Sequence, residues 1–237
     1  VLDQYPYLFA VILGLPAVAL AFVLVPQQRA MMLLSGAVLA LLSPLSVLHD
    51  GPYWAPQRLG EQFWGLKGWG LEDVLCTFSI GSLVWLSAIW GMRGLVLPQP
   101  RFRRIVIRFS AIAAVATAAI VLWAALGLTI MVATILVQVT LIVGLLWLRP
   151  ALWAMPTRVA LLYTPYYFAV LTLAGLWHRD FHAMWNGPEI LGPYVLGLPI
   201  EELLWSASLG WFPLALTFAL DASVRHGAHT QNDMVTQ

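Results

Sequence analysis

The sequence predicts an all-α polytopic membrane protein: seven transmembrane helices, built from two parallel three-helix repeats joined by a linker helix. Three observations carry this reading. Of the 237 residues, 61% are hydrophobic and 10% charged, and the mean hydropathy is +0.83, outside the balance of soluble globular domains. Apolar runs of about 20 residues, enough to cross a hydrocarbon core of roughly 30 Å, recur through most of the chain. The sequence also repeats itself at a shift of 129 residues.

Hydropathy places spans near 6–25, 30–48, 70–91, 105–125, 128–148, 157–177 and 198–220. The chain opens on Val1, and its first apolar run is too long for a signal-peptide core and has no basic region before it, so it reads as a span. Spans four and five meet at Gly127. Inside span six, Pro165 with Tyr166 and Tyr167 predicts a kink. Span seven starts at Pro199, a residue suited to a first helical turn. The resulting units are residues 1–95, the first three-helix repeat; 96–126, a basic loop and the linker helix; 127–221, the second repeat; and 222–237, a tail expected to be disordered.

Seven crossings put Arg29, Arg93, Arg101, Arg103, Arg104, Arg108, Arg149, Arg158 and Arg225 on one side, against Arg58, Lys67 and Arg179 on the other, nine to three. The positive-inside rule then sets the N-terminus outside and the tail in the cytoplasm of a multi-pass cell-membrane protein. The stretch RGLVLPQPRFRR reads as an anchor on the inner leaflet. A single cysteine, Cys76, excludes an intramolecular disulfide and a cysteine metal site, and a net charge of +1 gives no case for nucleic acid. No sequence feature calls for a cofactor or a metal.

At the shift of 129, LEDVLCTFSIG (71–81) lies over IEELLWSASLG (200–210), pairing Glu72 with Glu201, Asp73 with Glu202, Ser79 with Ser208 and Gly81 with Gly210. Arg29 pairs with Arg158 and His49 with His178, whereas Asp50 needs a one-residue slip to meet Asp180. Three spans per unit would invert the second unit; span four restores its direction, so both acidic pairs are expected at the same outer depth.

Eight of the eleven acidic residues fall in the two corresponding segments: Asp50, Glu61, Glu72, Asp73, Asp180, Glu189, Glu201 and Glu202. A carboxylate within a span costs about 2.5 to 3.5 kcal/mol on insertion scales, which marks Glu72, Asp73, Glu201 and Glu202 as catalytic candidates. The bland reading is helix capping, since acids in a first turn complement the helix dipole; one acid would suffice for that. Neighbours on a helix diverge by about 100°, so one acid of each pair can face a cavity. Glu201 is the first candidate because its face continues through Trp205 and Ser208; from Glu72 the face runs through Cys76, Ser79 and Leu83. A protonated acid beside an ionised one in such a site moves protons.

Among 12 Trp, 7 Tyr and 10 Phe, most serve packing and interface belts. Those near the acids, Trp54, Trp64, Trp69, Trp185, Tyr194 and Trp205, together with Tyr163, Tyr166 and Tyr167, are candidates to line the cavity and face a carbocation. His49, His178, Asp50 and Asp180 are candidates to support the acids by hydrogen bonding. The His178–His182 spacing would suit a metal only on a helix, and the segment reads as a loop.

With LPIEELLW and, about twenty residues upstream, His178, Asp180 and Trp185, the sequence resembles the integral-membrane lycopene cyclase domain family, found as heterodimeric bacterial cyclases and as fused archaeal and fungal forms. The family carries a Pro-x-Glu-Glu/Asp motif in each three-span half. Pro199, Glu201 and Glu202 match it; in GLEDVL, Glu72 and Asp73 match while Gly70 replaces the proline. The three-span duplication covers nearly the whole chain and looks like a fused form. The resemblance implies a redox-neutral β-cyclase: protonation of the terminal double bond of a linear ψ-end gives a tertiary cation at C1, the C5=C6 bond closes the ring, and loss of the C6 proton yields a β-ionone ring. It implies a linear carotenoid or other polyene dissolved in lipid as substrate, with membrane lipids as partners; a homo-oligomer is allowed. The acid, base and water-poor aromatic cavity read from the residues agree with this chemistry.

Among rivals, an aspartate-motif prenyltransferase needs Asp-x-x-x-Asp clusters, which are absent, and a retinal protein needs a lysine in its last span, whereas Lys67 is the only lysine. The non-enzymatic alternative is a proton-coupled carrier or isoprenoid-binding protein that uses the repeated acids as a relay.

Overall fold

The structure, a computed structural model, describes residues 5–58, 67–92, 95–96, 102–178, 180–185 and 187–224. Glu61, Trp64, Arg93, Arg101, Arg179, Arg225 and the remainder of the tail lie outside them. The chain is mostly helical: α1 (Pro6–Leu24), α2 (Arg29–Ala40), α3 (Leu71–Ile89), α4 (Phe102–Ala125), α5 (Ile130–Leu148), α6 (Ala154–Arg158), α7 (Thr164–Trp177), α8 (Ile200–Ser208) and α9 (Trp211–Ala219), with two-residue strands β1 (Leu95–Val96), β2 (Tyr194–Val195), β3 (Leu198–Pro199) and β4 (Ser223–Val224).

Five stretches are long and apolar enough to cross a membrane: Pro6–Leu24, Leu71–Ile89, Arg103–Ala125, Ile130–Leu148 and Pro150–Trp177. They are compatible with a multi-pass membrane protein. In the two remaining predicted spans the helix is interrupted. After α2 the chain tightens into a 3₁₀ segment, Ser43–Leu48, that opens with Pro44 in its first turn. The last predicted span breaks at Leu209–Gly210 into α8 and α9. Pro213 is the cause: it has no N–H for the Leu209 carbonyl, and its ring would collide with that carbonyl in a continuous helix. Pro165 acts the same way on Leu161, and there the chain responds with a π-helical turn, Val159–Tyr163, between α6 and α7.

Small residues set the closest helix approaches. A Cβ on Gly81 of α3 would lie 2.6 Å from the Ser35 carbonyl oxygen of α2, and one on Gly210 would lie 2.5 Å from Cα of Pro156. The close α2–α3 seam lets Ser35 Oγ donate to the Gly81 carbonyl (2.7 Å) and Ser82 Oγ to that of Met32 (3.0 Å), satisfying hydroxyls that find no water in an apolar interior.

The ends of the helices sort by charge. β1 pairs antiparallel with β4, tying the chain after α3 to the chain after α9. At this end Arg108 ion-pairs with Asp221, with Arg149 3.7 Å from the same carboxylate, and Arg108 holds the Asp221 carboxyl below the usual carboxylate range. The opposite end holds the first turns of α3 and α8, so both acidic pairs lie there together. The β2–β3 hairpin leads into α8. Its turn residues Leu196 (φ 52°) and Gly197 (φ 82°) are both left-handed, as a two-residue hairpin loop requires.

Gly81→Ala should lower stability by about 1 to 3 kcal/mol, the usual cost of overpacking where backbone cannot yield. Thermal unfolding in detergent or lipid measures it; an unshifted midpoint would contradict the close α2–α3 contact.

Candidate functional site

The two acidic pairs occupy the same two positions of their helices, the second and third residues after the N-cap, but the N-caps differ. Gly70 caps α3, and its N–H donates to Asp73 Oδ2 at 2.8 Å. Pro199 caps α8 and has no N–H to give, so Glu202 cannot be held back in that way. A Cβ at position 70 would also lie 2.7 Å from Glu72 Oε2. That oxygen is the movable end of a side chain, so what glycine keeps here and proline would remove is the N–H that holds Asp73.

Asp73 is held as part of a buried ion pair. Arg58 Nε donates to Asp73 Oδ2 (2.8 Å) and Arg58 Nη1 to Asp50 Oδ1 (2.8 Å). The Tyr7 hydroxyl donates to Asp73 Oδ1 at 3.2 Å. The Arg58 and Asp73 side chains are 0% and 1% exposed, so each depends on the other for the solvation both have lost.

Glu202 meets neutral donors instead: the Tyr167 hydroxyl reaches Oε2 at 2.6 Å and the Trp185 indole N–H reaches Oε1 at 2.9 Å. No ion pair involves Glu202 among the described residues. Tyr53 interacts electrostatically with Glu202.

Asp73 and Glu202 both open into one cavity of about 280 Å³. From α3 the wall continues through Cys76 and Ile80, from α8 through Trp205 and beyond it Leu209. These are the same positions at the shift of 129, so corresponding faces of the two segments line one space. The remainder is mostly apolar and aromatic, with a few polar residues such as His49, Thr134 and Gln138. Tyr7 meets Trp54 edge-on (4.9 Å), Trp54 leans on Trp185 (6.3 Å), Tyr167 lies 5.9 Å from Tyr163 and 5.7 Å from Trp205. Such a cavity can exclude water, offer ring faces to a cation and present two carboxyl groups at one end.

The other predicted residues are placed as follows. Glu72 and Glu201 are buried but do not line the cavity. Glu201 Oε1 accepts from the Leu191 N–H (2.6 Å), fastening the loop before the hairpin; Glu189 accepts from the Ile130 N–H at the start of α5. Tyr166, Tyr167, Trp185, Trp205 and His49 line the cavity, whereas Ser208 bonds Gln138 and Trp69 bonds Ser43. His49 Nε2 lies 3.1 Å from Thr134 Oγ1. Burial, which lowers the His49 pKa to about 4, keeps the ring neutral. His178 packs edge-on against Phe9 (4.6 Å), Asp180 is exposed and Tyr194 projects from the hairpin. Sequence reasoning missed Arg58, Tyr7 and Tyr53 as parts of this site. Arg58 had one signal: it is among only three cations on the acid-rich side.

Replacing Arg58 with Met should destabilise the fold by about 3 to 5 kcal/mol, because Asp73 is left as an uncompensated buried charge. The double variant Arg58→Met/Asp73→Asn should recover much of that loss. Equal unfolding midpoints for the single and double variants would sink the ion-pair account.

The lycopene cyclase family model matches residues 128–220. No curated protein and no solved structure matches the chain.

Proposed function

We propose that this chain, whose residues 128–220 match the lycopene cyclase family model, is a membrane-embedded carotenoid cyclase that closes a β-ionone ring by a proton-initiated, redox-neutral route. The observation that carries the reading is the meeting of Asp73 and Glu202, from corresponding positions, in one apolar and aromatic cavity. Glu202, facing neutral donors only, supplies the proton to the terminal double bond of the ψ-end. The C5=C6 bond then closes the ring onto C1. Asp73, ion-paired with Arg58, takes the C6 proton. Trp54, Trp185, Trp205 and Tyr167 turn ring faces toward the cation and keep water from quenching it. Glu201 and Glu72 act behind them by fixing the surrounding loops and helix starts.

The same reading gives the chain seven crossings, as two parallel three-span repeats, residues 1–95 and 127–221, on either side of the linker helix. The acid-bearing ends face outward, the Arg108–Asp221 end faces the cytoplasm, and the substrate is a linear carotenoid or related polyene drawn from the bilayer. Single cysteines at Leu191 and Arg103, in a Cys76→Ser background, should react with impermeant reagents from opposite sides. Reaction from the same side would overturn the orientation.

Expression in a lycopene-accumulating host is the direct test of activity, with a chromatographic shift to cyclic pigment as the expected result. In purified protein, Glu202→Gln and Asp73→Asn should each lower turnover by about 10² to 10⁴ while the protein still folds, the usual contribution of general acid–base catalysis. Glu201→Gln should lower it much less. Unchanged pigment, or full turnover in both cavity variants, would refute the assignment; bound but unconverted lycopene would favour an isoprenoid-binding protein.

A further inference from the structure

The linker helix α4 is the least explained part of the chain, since the repeat leaves it without a counterpart and the acids lie elsewhere. One stripe along it points inward, and the stripe changes character midway. Toward the cytoplasmic end it carries Ile105 and Phe109, and Phe109 stacks at 6.5 Å on Trp211 and meets Phe212 edge-on at 5.7 Å. Nearer the acids it carries Ala113, Ala116 and Thr117 before Ile120, and these four line the cavity. Where large side chains would fill the space, small ones leave it open. Tyr7, Ala10, Val11 and Gly14 of α1 line the same cavity. α4 packs on α5 and α9 whereas α1 packs on α3 and α7, so the two facing helices are held by different partners. The seam between α1 and α7 is fastened by the Tyr166 hydroxyl, which donates to the Gly14 carbonyl at 2.9 Å.

A cavity of about 280 Å³ is near the low end of ligand pockets, roughly 300 to 1,000 Å³. It accommodates one end group of a long polyene. The chain behind that end group must leave along a wall without charge or bulk. At the acid end the cavity is lined by the buried Tyr53, 2% exposed, beside Glu202.

We propose that Ala113, Ala116 and Thr117 of α4 form the seat of the extended polyene chain. The end group lies beside Tyr53, Asp73 and Glu202, and the chain runs along about 10 Å of α4 toward lipid between α4 and α1. This rests on the carotenoid reading of the cavity and adds to it a subsite that selects for a long, flat, unsaturated tail.

Ala116→Phe and Ala113→Phe test the seat in the full chain in lipid vesicles, with Ala114→Phe, on the lipid-exposed side of α4, as the control for bulk on that helix. Two probes are used: lycopene, and ψ-ionone, a short ketone carrying the same acyclic end group. Binding is read by quenching of tryptophan fluorescence for both probes and turnover by product analysis for lycopene. Filling the seat should weaken lycopene binding roughly 10-fold or more, the scale of steric discrimination in an apolar pocket, and leave ψ-ionone binding and the Ala114→Phe control unchanged. Ala116→Val should give a smaller loss in the same direction, which keeps the test alive if a phenylalanine variant does not fold. Undiminished lycopene binding in the folded Ala113 and Ala116 variants, or equal loss of both probes, overturns the seat. Wild-type protein that binds lycopene at this seat without converting it overturns the cyclase reading alone, and wild-type protein that binds neither probe overturns both.

Discussion

A carboxylate removed from water has to be neutralised or hydrogen-bonded, and this chain buries two of them at the end of one apolar cavity. Nearly every irregular feature at that end serves the requirement. The segment from the 3₁₀ turn to Arg58 folds back so that a guanidinium reaches Asp73 and Asp50. The loop carrying Phe181 to Trp185 brings an indole N–H to Glu202. The π-helical turn before Pro165 precedes Tyr167, whose hydroxyl completes the Glu202 cradle. The long helices supply a frame; the loops between them supply the solvation that the membrane interior cannot.

One backbone N–H separates the two halves of this frame. With glycine as N-cap, Asp73 folds back onto its own helix start and receives an arginine as well. With proline there, Glu202 finds no such donor and extends to Tyr167 and Trp185. Corresponding positions of α3 and α8 thereby carry two carboxyl groups of unlike surroundings, one clamped by charge and one held by neutral donors. Unlike surroundings are what assign acid and base roles to a pair of carboxyls.

Much of this was legible in the sequence because it is written in local patterns. The acidic pairs, their recurrence at a shift of 129 and the apolar runs need only one-dimensional reading. The interruption at Leu209 was not read from the sequence: Pro213, four residues on, removes its hydrogen bond, but the continuous apolar run conceals it. Which acid of each pair turns inward was not legible. Helical geometry fixes the angle between Glu201 and Glu202 but not the rotation of the helix, which depends on the Leu191 amide and on Trp185, both set by the fold of a loop. Arg58 was hidden for the same reason: its partner lies 15 residues on, across a segment with no periodicity to read.

The choice of donors around Glu202 also bears on why the cavity is so aromatic. A guanidinium there would favour the anion over the protonated acid. Water would hydrogen-bond it equally well, yet water would also attack any carbocation formed beside it. Tyrosine and tryptophan avoid both outcomes. Each offers one hydrogen-bond donor to the carboxyl, no net charge, and a ring face that a cation finds favourable. Trp185 and Tyr167 therefore meet the needs of a buried acid and of a water-free cavity with the same side chains, and the Tyr163–Tyr167–Trp205 cluster extends that surface deeper into the molecule. The aromatic lining is thus a consequence of where Glu202 lies, beyond its service as packing.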